Sequence, residues 1–401
     1  VSEQKPKQKL DHITAKPFVD DNEILNSRFW GSVHTRKRNF NSTEHHISPA
    51  GKYCDKPFTW LEFNGHGRAF MCCPTWLPYS VGDVSVDSIS SIWNGVRAKM
   101  IRRSIFDGSY KYCNVPLCPD IQSNILPELS TIDQSQRWTV DPTGFPKHII
   151  FSTDESCNLS CPSCRIGKVL HADGPEYERR KRLDDKIWDE ILAQPLDIDL
   201  TIHITGSGDP FGSKVFRERL LGLDLTERPN IKIVLKTNGV MLTPKIWGQL
   251  HRIHRNITAI NISFDAATEK TYNLIRRGGH WPTLLENVRH LDPLAKELGI
   301  RLFYDYVVQF SNSAELLPFC KLIAEISPSY QHVQFTRISD WGTWPRPQFE
   351  HEAIWMATHP HHENWLMHIS DPEFNKYRVH WSNNSQFRRQ AIEKYGPRSN
   401  I

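Results

Sequence analysis

Residues 157–165 read CNLSCPSCR, three cysteines spaced C-x3-C-x2-C and followed at once by an arginine. Thiolates are soft ligands suited to zinc and to iron–sulfur clusters. A structural zinc takes four ligands, so Cys157, Cys161 and Cys164 do not close one alone, although a zinc knuckle with a remote fourth ligand stays open. Three thiolates do match a cubic four-iron four-sulfur cluster that leaves one iron for another ligand.

The nine cysteines fall at 54, 72, 73, 113, 118, 157, 161, 164 and 320. The first residues, VSEQKPKQKLDHITAKPF, contain no apolar run of the secretory kind, and no stretch of about 18 apolar residues occurs anywhere in the chain. The expectation is therefore a cytoplasmic protein without membrane spans, in which thiols stay reduced and serve metals or catalysis rather than disulfides. A net charge of +4, from 49 basic and 45 acidic residues, argues against nucleic acid as a partner. With 39% hydrophobic residues, 13 Trp and 19 Phe among them, the 401 residues suffice for a large domain and a smaller one.

These residues need elements to hold them. Apolar β-rich runs at 148–153, 200–205, 231–237, 259–265, 300–309 and 332–339 alternate with helical stretches such as KIWDEILAQ and WPTLLENVRHL. Six βα units without hairpin turns predict a parallel sheet with crossover helices, open or partly closed as a barrel, with its site at the carboxyl ends of the strands. HIIFSTDESC runs off the first strand, which puts the three cysteines at such an end. Upstream, CDKPFTWLEFNGHGRAFMCC alternates around an Asn-Gly turn and predicts a β-hairpin, and SVDSISSIWNGVRAKMIRRSIF predicts a helix. The expected organisation is a polar arm at 1–45, a cysteine-bearing module at 46–120, a linker at 121–147, the core at 148–345 and an extension at 346–401.

The C-x3-C-x2-C loop resembles the hallmark of the radical S-adenosylmethionine (SAM) family, and the resemblance covers roughly 148–345. TGSGDPF after the second strand looks like that family's Gly-Gly-Glu segment, with Asp209 in the acidic place. The resemblance implies that Gly206, Ser207, Gly208 and Asp209 receive the methionyl part of SAM. KTNG after the third strand and NISFDAATEKTYNLIRRGG after the fourth also resemble the family. Alternation along the fourth strand would put Asn261, Ser263 and Asp265 on one face, fit for the ribose or carboxylate of the cofactor. Pro162 departs from the aromatic residue usual between the second and third cysteines, so contacts to the adenine would differ. The implied fold is an α/β partial (β/α)6 TIM-like barrel. The implied chemistry is reductive cleavage of SAM to a 5′-deoxyadenosyl radical, which takes hydrogen from an unactivated C–H bond. No catalytic side chain is assigned.

Cys54, Cys72, Cys113 and Cys118 resemble the ligands of the auxiliary-cluster modules called SPASM or, when shortened, twitch. They imply a small N-terminal α+β module with a second four-iron cluster, although a four-cysteine zinc stays open and Cys73 could replace Cys72. In the family the module follows the core, whereas here it precedes it. The expected cofactors are two 4Fe-4S clusters, one binding SAM and one auxiliary, together with SAM itself. The expected partners are a peptide substrate and a reducing protein such as flavodoxin or ferredoxin. A radical dehydrogenase or epimerase acting on a sugar or aminocyclitol is the alternative, and a non-catalytic metal-binding or redox-sensing protein is a third reading. Two further features carry blander readings: the histidines of 351–368 coat a loop, and Cys320 is a buried inert thiol in an apolar helix.

Overall fold

The computed structural model describes residues 48–133 and 144–396, so the polar arm expected at 1–45 lies outside the described residues. The chain divides into two compact units. One runs through Glu62 and resumes over Gly67–Pro146, and the other joins Phe63–His66 to Lys147 and all that follows.

The Asn-Gly turn separates strand β1 (Trp60–Asn64) from β2 (Arg68–Phe70), and in the first unit β2 pairs antiparallel with β3 (Gly82–Asp83). A Cβ at Gly82 would lie 2.7 Å from Ile92 Cγ1, so only glycine lets this strand approach the helix beside it. The single helix expected from Ser85 to Phe106 is two, Ile89–Trp93 and Val96–Phe106. Asn94 ends the first by donating from Nδ2 to the Ser90 carbonyl at 2.9 Å, and Gly95 caps the start of the second. Arg102 is fully buried, its guanidinium 4.2 Å from the Trp93 ring centre and its Nε donating to the Pro57 carbonyl. Residues 121–133, expected as linker, fold back instead. Ile121 joins a core of Tyr53, Phe58, Ile105 and Tyr110, and Lys52 bridges Glu128.

The second unit is a parallel sheet of β4 (His148–Ser152), β5 (Leu200–Ile204), β6 (Ile231–Thr237), β7 (Ile257–Ser263), β8 (Arg301–Val308), β9 (His332–Arg337) and a short β10 (Val379–His380), adjacent in that order. Neighbours in sequence are neighbours in space, as successive crossovers of one hand produce. Among the described residues β4 and β10 do not pair, so the sheet is open. β10 is a seventh parallel strand beyond the six expected; two residues long, it carries no periodic signal.

One sheet face presents Ile202, Ile233, Leu235, Ile260, Leu302, Tyr304 and Val333, all essentially buried. Each large apolar side chain so buried contributes about 1.5–3 kcal/mol. Helix Gly174–Leu192 covers part of this core with Leu183, Ile187, Trp188 and Ile191, and Trp188 stacks on Phe151 of β4 at 5.5 Å. By strand register the opposite face carries Lys236, Asn261, Phe303 and His332 in one lateral row and Ser263, Asp305 and Gln334 in the next. The polar side chains of this face, most of them partly exposed, mark where a ligand can be met. Among the described residues no helix is long and apolar enough to cross a membrane.

Candidate functional site

The three cysteines of the opening motif leave the end of β4 on a loop fastened from several sides. Cys157 N–H donates to the Val169 carbonyl at 2.9 Å, and Asp154, fully buried, accepts from the Ser156 N–H at 3.0 Å and from Ser213 Oγ at 2.6 Å. Arg180 lies 3.3 Å from Asp154 and 2.6 Å from Glu155. Asp154, Glu155 and His171 bring ligand atoms within 4.8 Å of one another, but the Arg180 cation already answers that charge. Cys157 and Cys161 are buried and Cys164 is exposed.

Each sulfur meets a donor. Cys157 Sγ accepts from the Leu159 N–H at 3.4 Å and from Asn238 Nδ2 at 3.7 Å, Cys161 Sγ from Arg276 Nη1 at 3.9 Å, and Cys164 Sγ from Arg165 Nη2 at 3.5 Å. Burial pushes the Cys157 thiol up to about 11, with Asp209 adding to it and Arg165 opposing it. Burial also raises Cys161, against the pull of Arg276. Thiols so raised need a bound metal to become thiolates, and the N–H donors around them suit sulfurs that carry negative charge. The donor set therefore fits three corners of an iron–sulfur cluster.

Arg276 is tied on its other side to Asp265 at 2.7 Å. Burial works against the guanidinium, yet Asp265 and Cys161 push its pKa up and keep it charged. Asp265 was expected to share a strand face with Asn261 and Ser263, and it does not. β7 stops at Ser263, and Asp265 takes a left-handed backbone (φ 65°) with its carboxylate on Arg276 and the Val307 N–H. Asn261 and Ser263 stay partly exposed on the uncovered face.

The segment after β5 has four differently placed residues. Gly206 is exposed, and Ser207 lends its carbonyl to Arg165 at 3.0 Å. Gly208 packs so closely that a Cβ would lie 2.5 Å from the Ser156 carbonyl oxygen, so its glycine serves the crossing of two loops. Asp209, buried, accepts from the Phe211 and Gly212 N–H groups through Oδ1 and from Thr237 Oγ1 and the Asn238 N–H through Oδ2, all at 2.8–2.9 Å. Four donors fill the acceptor directions of one carboxylate. Asp209 thereby fixes Asn238, which in turn touches Cys157.

In the first unit Cys54, Cys113 and Cys118 pack against the Tyr53–Phe58–Ile105–Tyr110–Ile121 core. Burial, then the nearby Cys54, Cys73, Cys118 and Cys113, push Cys72 far up. Cys73 is pushed up to about 12 by burial and Glu62, with Thr75 donating to it. Cys72 is thus the sulfur that feels the other three thiols most, whereas Cys73 feels the Glu62 charge before any thiol. Among the described residues no three cysteine sulfurs lie within 4.8 Å of one another, whereas a tetrahedral zinc with bonds of about 2.3 Å draws its sulfurs to about 3.8 Å apart.

Sequence profiles agree with this division. The radical SAM superfamily matches residues 152–315, and the iron–sulfur cluster-binding domain SPASM matches residues 54–119. The chain carries a radical SAM domain preceded by a SPASM-type iron–sulfur domain. Among curated relatives, the GTP 3′,8-cyclase of Alkaliphilus metalliredigens (strain QYMF) is 25% identical over 208 residues, 49% of this chain and 59% of that protein. This chain thus spans little more than half the length of that relative. Among solved structures, native anSMEcpe with bound AdoMet aligns with TM-score 0.37 and 14% identity over 58% of this chain and 63% of that one. The radical SAM methyltransferase TsrM from Kitasatospora setae aligns with TM-score 0.32 and 13% identity over 45% and 32%.

Three residues of this radical SAM site carried no assigned role in the sequence. Arg165, Asn238 and Arg276 stand inside stretches that drew notice, CNLSCPSCR, KTNG and NLIRRGG, but their contacts to sulfur depend on loops from three strands meeting. Among the described residues the histidines of 351–368 bring no three ligand atoms within 4.8 Å of one another. His359 accepts from the His361 N–H at Nδ1 and has its Nε2 on the His351 carbonyl, and the rings of His351, His359 and His361 surround Phe310. Cys320 is buried in helix Leu316–Ile326.

Proposed function

We propose that the enzyme holds one 4Fe-4S cluster on Cys157, Cys161 and Cys164, leaving an iron for SAM, and an auxiliary 4Fe-4S cluster on Cys54, Cys72, Cys113 and Cys118. When bound, the first cluster and SAM together supply a 5′-deoxyadenosyl radical able to take hydrogen from an unactivated C–H bond. The observation that carries the reading is the loop after β4, where three sulfurs of one motif each face an N–H donor and none faces a fourth thiol.

The chain's own residues divide the remaining work. Arg276 and Arg165 offset the charge of the Cys161 and Cys164 thiolates, and Asn238 donates a hydrogen bond to Cys157. Gly206, with its exposed backbone, and Asn261 and Ser263, on the uncovered face of the partial (β/α)6 barrel, contact SAM. Asp209 and Asp265 act as positioning residues, since the first is saturated by four donors and the second is committed to Arg276 and Val307. The SPASM-type domain supports a peptide substrate. A second reading, a small hydroxyl-rich substrate, is favoured by the polar rows on the open sheet face, where Lys236 pairs with Asp305 at 2.9 Å beside Asn261 and Gln334.

The test is anaerobic reconstitution followed by assay with SAM and dithionite. About eight irons per chain and steady formation of 5′-deoxyadenosine are expected. Full activity with about four irons would remove the auxiliary cluster, and absence of cleavage would overturn the reading. Deuterium moving from a labelled peptide or a labelled polyol into 5′-deoxyadenosine separates the two substrate classes.

A further inference from the structure

Tyr272 and Arg276 stand four residues apart where helix Glu269–Ile275 ends, so they share its face, and Arg276 already reaches Cys161 Sγ at 3.9 Å. The Tyr272 side chain is fully buried, its ring held by Phe264 and by Trp281, whose ring centre lies 5.3 Å away. A Cβ at Gly279 would overlap the Tyr272 hydroxyl, and a Cβ at Gly278 would lie 3.7 Å from the Asn158 carbonyl oxygen. The Ser160 N–H donates to the Arg277 carbonyl at 2.9 Å. Residues 276–279 thus run along the loop that joins Cys157 to Cys161, with the Tyr272 hydroxyl packed against them.

Among the described residues that hydroxyl has no hydrogen-bond partner, and neither has Arg276 Nε. Buried polar groups in folded proteins are paired as a rule, so an unpaired donor beside a ligand site points to an acceptor there. Burial raises the pKa of the phenol and Arg276 opposes it, while Cys161, Asp265 and Asp209 add to the rise, so the hydroxyl keeps its proton and can donate it. Of these three neighbouring acceptors, Asp209 is filled by its four donors, and Asp265 is committed to Arg276 and the Val307 N–H. That leaves the sulfur of Cys161, to which Arg276 makes only a long contact. We propose that the Tyr272 hydroxyl donates a hydrogen bond to the Cys161 corner of the SAM-binding cluster and, with Arg276, sets the potential at which that cluster takes its electron. The inference rests on the reading that Cys157, Cys161 and Cys164 hold the cluster. A hydrogen bond to sulfur favours the more negative, reduced state over the oxidised one, so the hydroxyl makes reduction easier. No bond is made or broken at Tyr272, and the electron comes from the external reductant.

The experiment is an anaerobic redox titration of the reconstituted full chain with dithionite, in which electron paramagnetic resonance follows the four-iron signal that responds to SAM; SAM itself is left out of the titration. Tyr272→Phe keeps the ring and removes only the hydroxyl. At the wild-type midpoint its ratio of reduced to oxidised cluster is expected to be about tenfold lower, a midpoint about 59 mV more negative, with iron content unchanged. Gly279→Ala, which puts a methyl where the hydroxyl lies, is expected to move the midpoint in the same direction. Tyr304→Phe, which removes another buried hydroxyl from the helix-covered face of β8, is expected to leave it unmoved. Midpoints of Tyr272→Phe and Gly279→Ala equal to wild type would overturn the proposal, and so would an equal shift in Tyr304→Phe. An unmoved midpoint with weakened SAM affinity in Tyr272→Phe would overturn it too, giving the hydroxyl to the cofactor instead. A wild-type chain without any four-iron signal that responds to SAM would count against the cluster reading, whereas equal midpoints with that signal present count against Tyr272 alone.

Discussion

In the second unit the sulfurs of Cys157, Cys161 and Cys164 each meet an N–H donor, two of them from arginine side chains, whereas in the first unit Cys54, Cys113 and Cys118 lie against an aromatic core, Cys54 and Cys118 meet backbone N–H groups of Lys56 and Ile121, and Cys72 is pushed up by burial and the neighbouring thiols. Hydrogen bonds to sulfur, net charge and solvent exposure tune the potential of an iron–sulfur cluster. Three thiolates, nearby cations and one exposed corner favour a site that gains an electron readily. Four half-buried thiolates, of which Cys118 also feels Lys56, favour one that holds its oxidised state. On the proposed assignment, the contrast separates a site to be reduced and to bind SAM from one that serves as a fixed part of the fold.

The largest expected break of this contrast is to remove the ligands. Replacing Cys157, Cys161 and Cys164 together with Ala should abolish 5′-deoxyadenosine formation and lower iron by about four per chain, while Cys113→Ala with Cys118→Ala should keep some cleavage and lose product. Iron analysis and product chromatography read both. Cleavage that survives the first change and dies with the second would reverse the two assignments.

A smaller effect concerns Arg276, the guanidinium between Asp265 and Cys161. Arg276→Leu strips Asp265 of its partner in the interior and Cys161 of its donor. Removing one member of a buried pair costs about 3–5 kcal/mol, so the urea midpoint should fall markedly. A midpoint shift equivalent to less than about 1 kcal/mol would mean that the pair is better solvated than its burial implies.

Asp209 sharpens the comparison further, because it braces the core site from behind. Asp209→Ala leaves the Phe211, Gly212 and Asn238 N–H groups and the Thr237 hydroxyl without their acceptor, and an unmade buried hydrogen bond costs about 1–3 kcal/mol. The melting temperature should drop, with SAM affinity of the folded protein held within about threefold. Lost affinity at an unchanged melting temperature would return Asp209 to direct contact with the cofactor.

What the sequence disclosed and what it withheld divide along the same line. Strands β4–β9 were legible because each is a run of β-branched and aromatic residues separated by helical periodicity, and the cysteine spacing announced the loop after β4. Distances across the fold were not legible. Nothing local says that Arg276 reaches Cys161, that Asn238 reaches Cys157, or that β7 ends before Asp265, since these follow from loops at the ends of three strands meeting. In the first unit, alternation cannot decide between Cys72 and Cys73, and the Asn94–Gly95 break hides inside an otherwise helical pattern. Side-chain competition for backbone carbonyls decides it.

The smallest effect is expected from Cys73→Ala, because Cys73 is turned toward Glu62 and Thr75. Its iron content should equal that of wild type, whereas Cys72→Ala should lose iron from the first unit. Equal loss in both variants would show that either thiol can serve.

The most direct measurement is electron paramagnetic resonance of the reduced Cys113→Ala/Cys118→Ala variant, recorded with and without SAM. With only the Cys157, Cys161, Cys164 site loaded, a single reduced four-iron signal is predicted, and its shape should change when SAM is added. A signal indifferent to SAM there, together with a SAM-sensitive signal in the Cys157→Ala/Cys161→Ala/Cys164→Ala variant, would contradict the assignment of the open iron to the loop after β4.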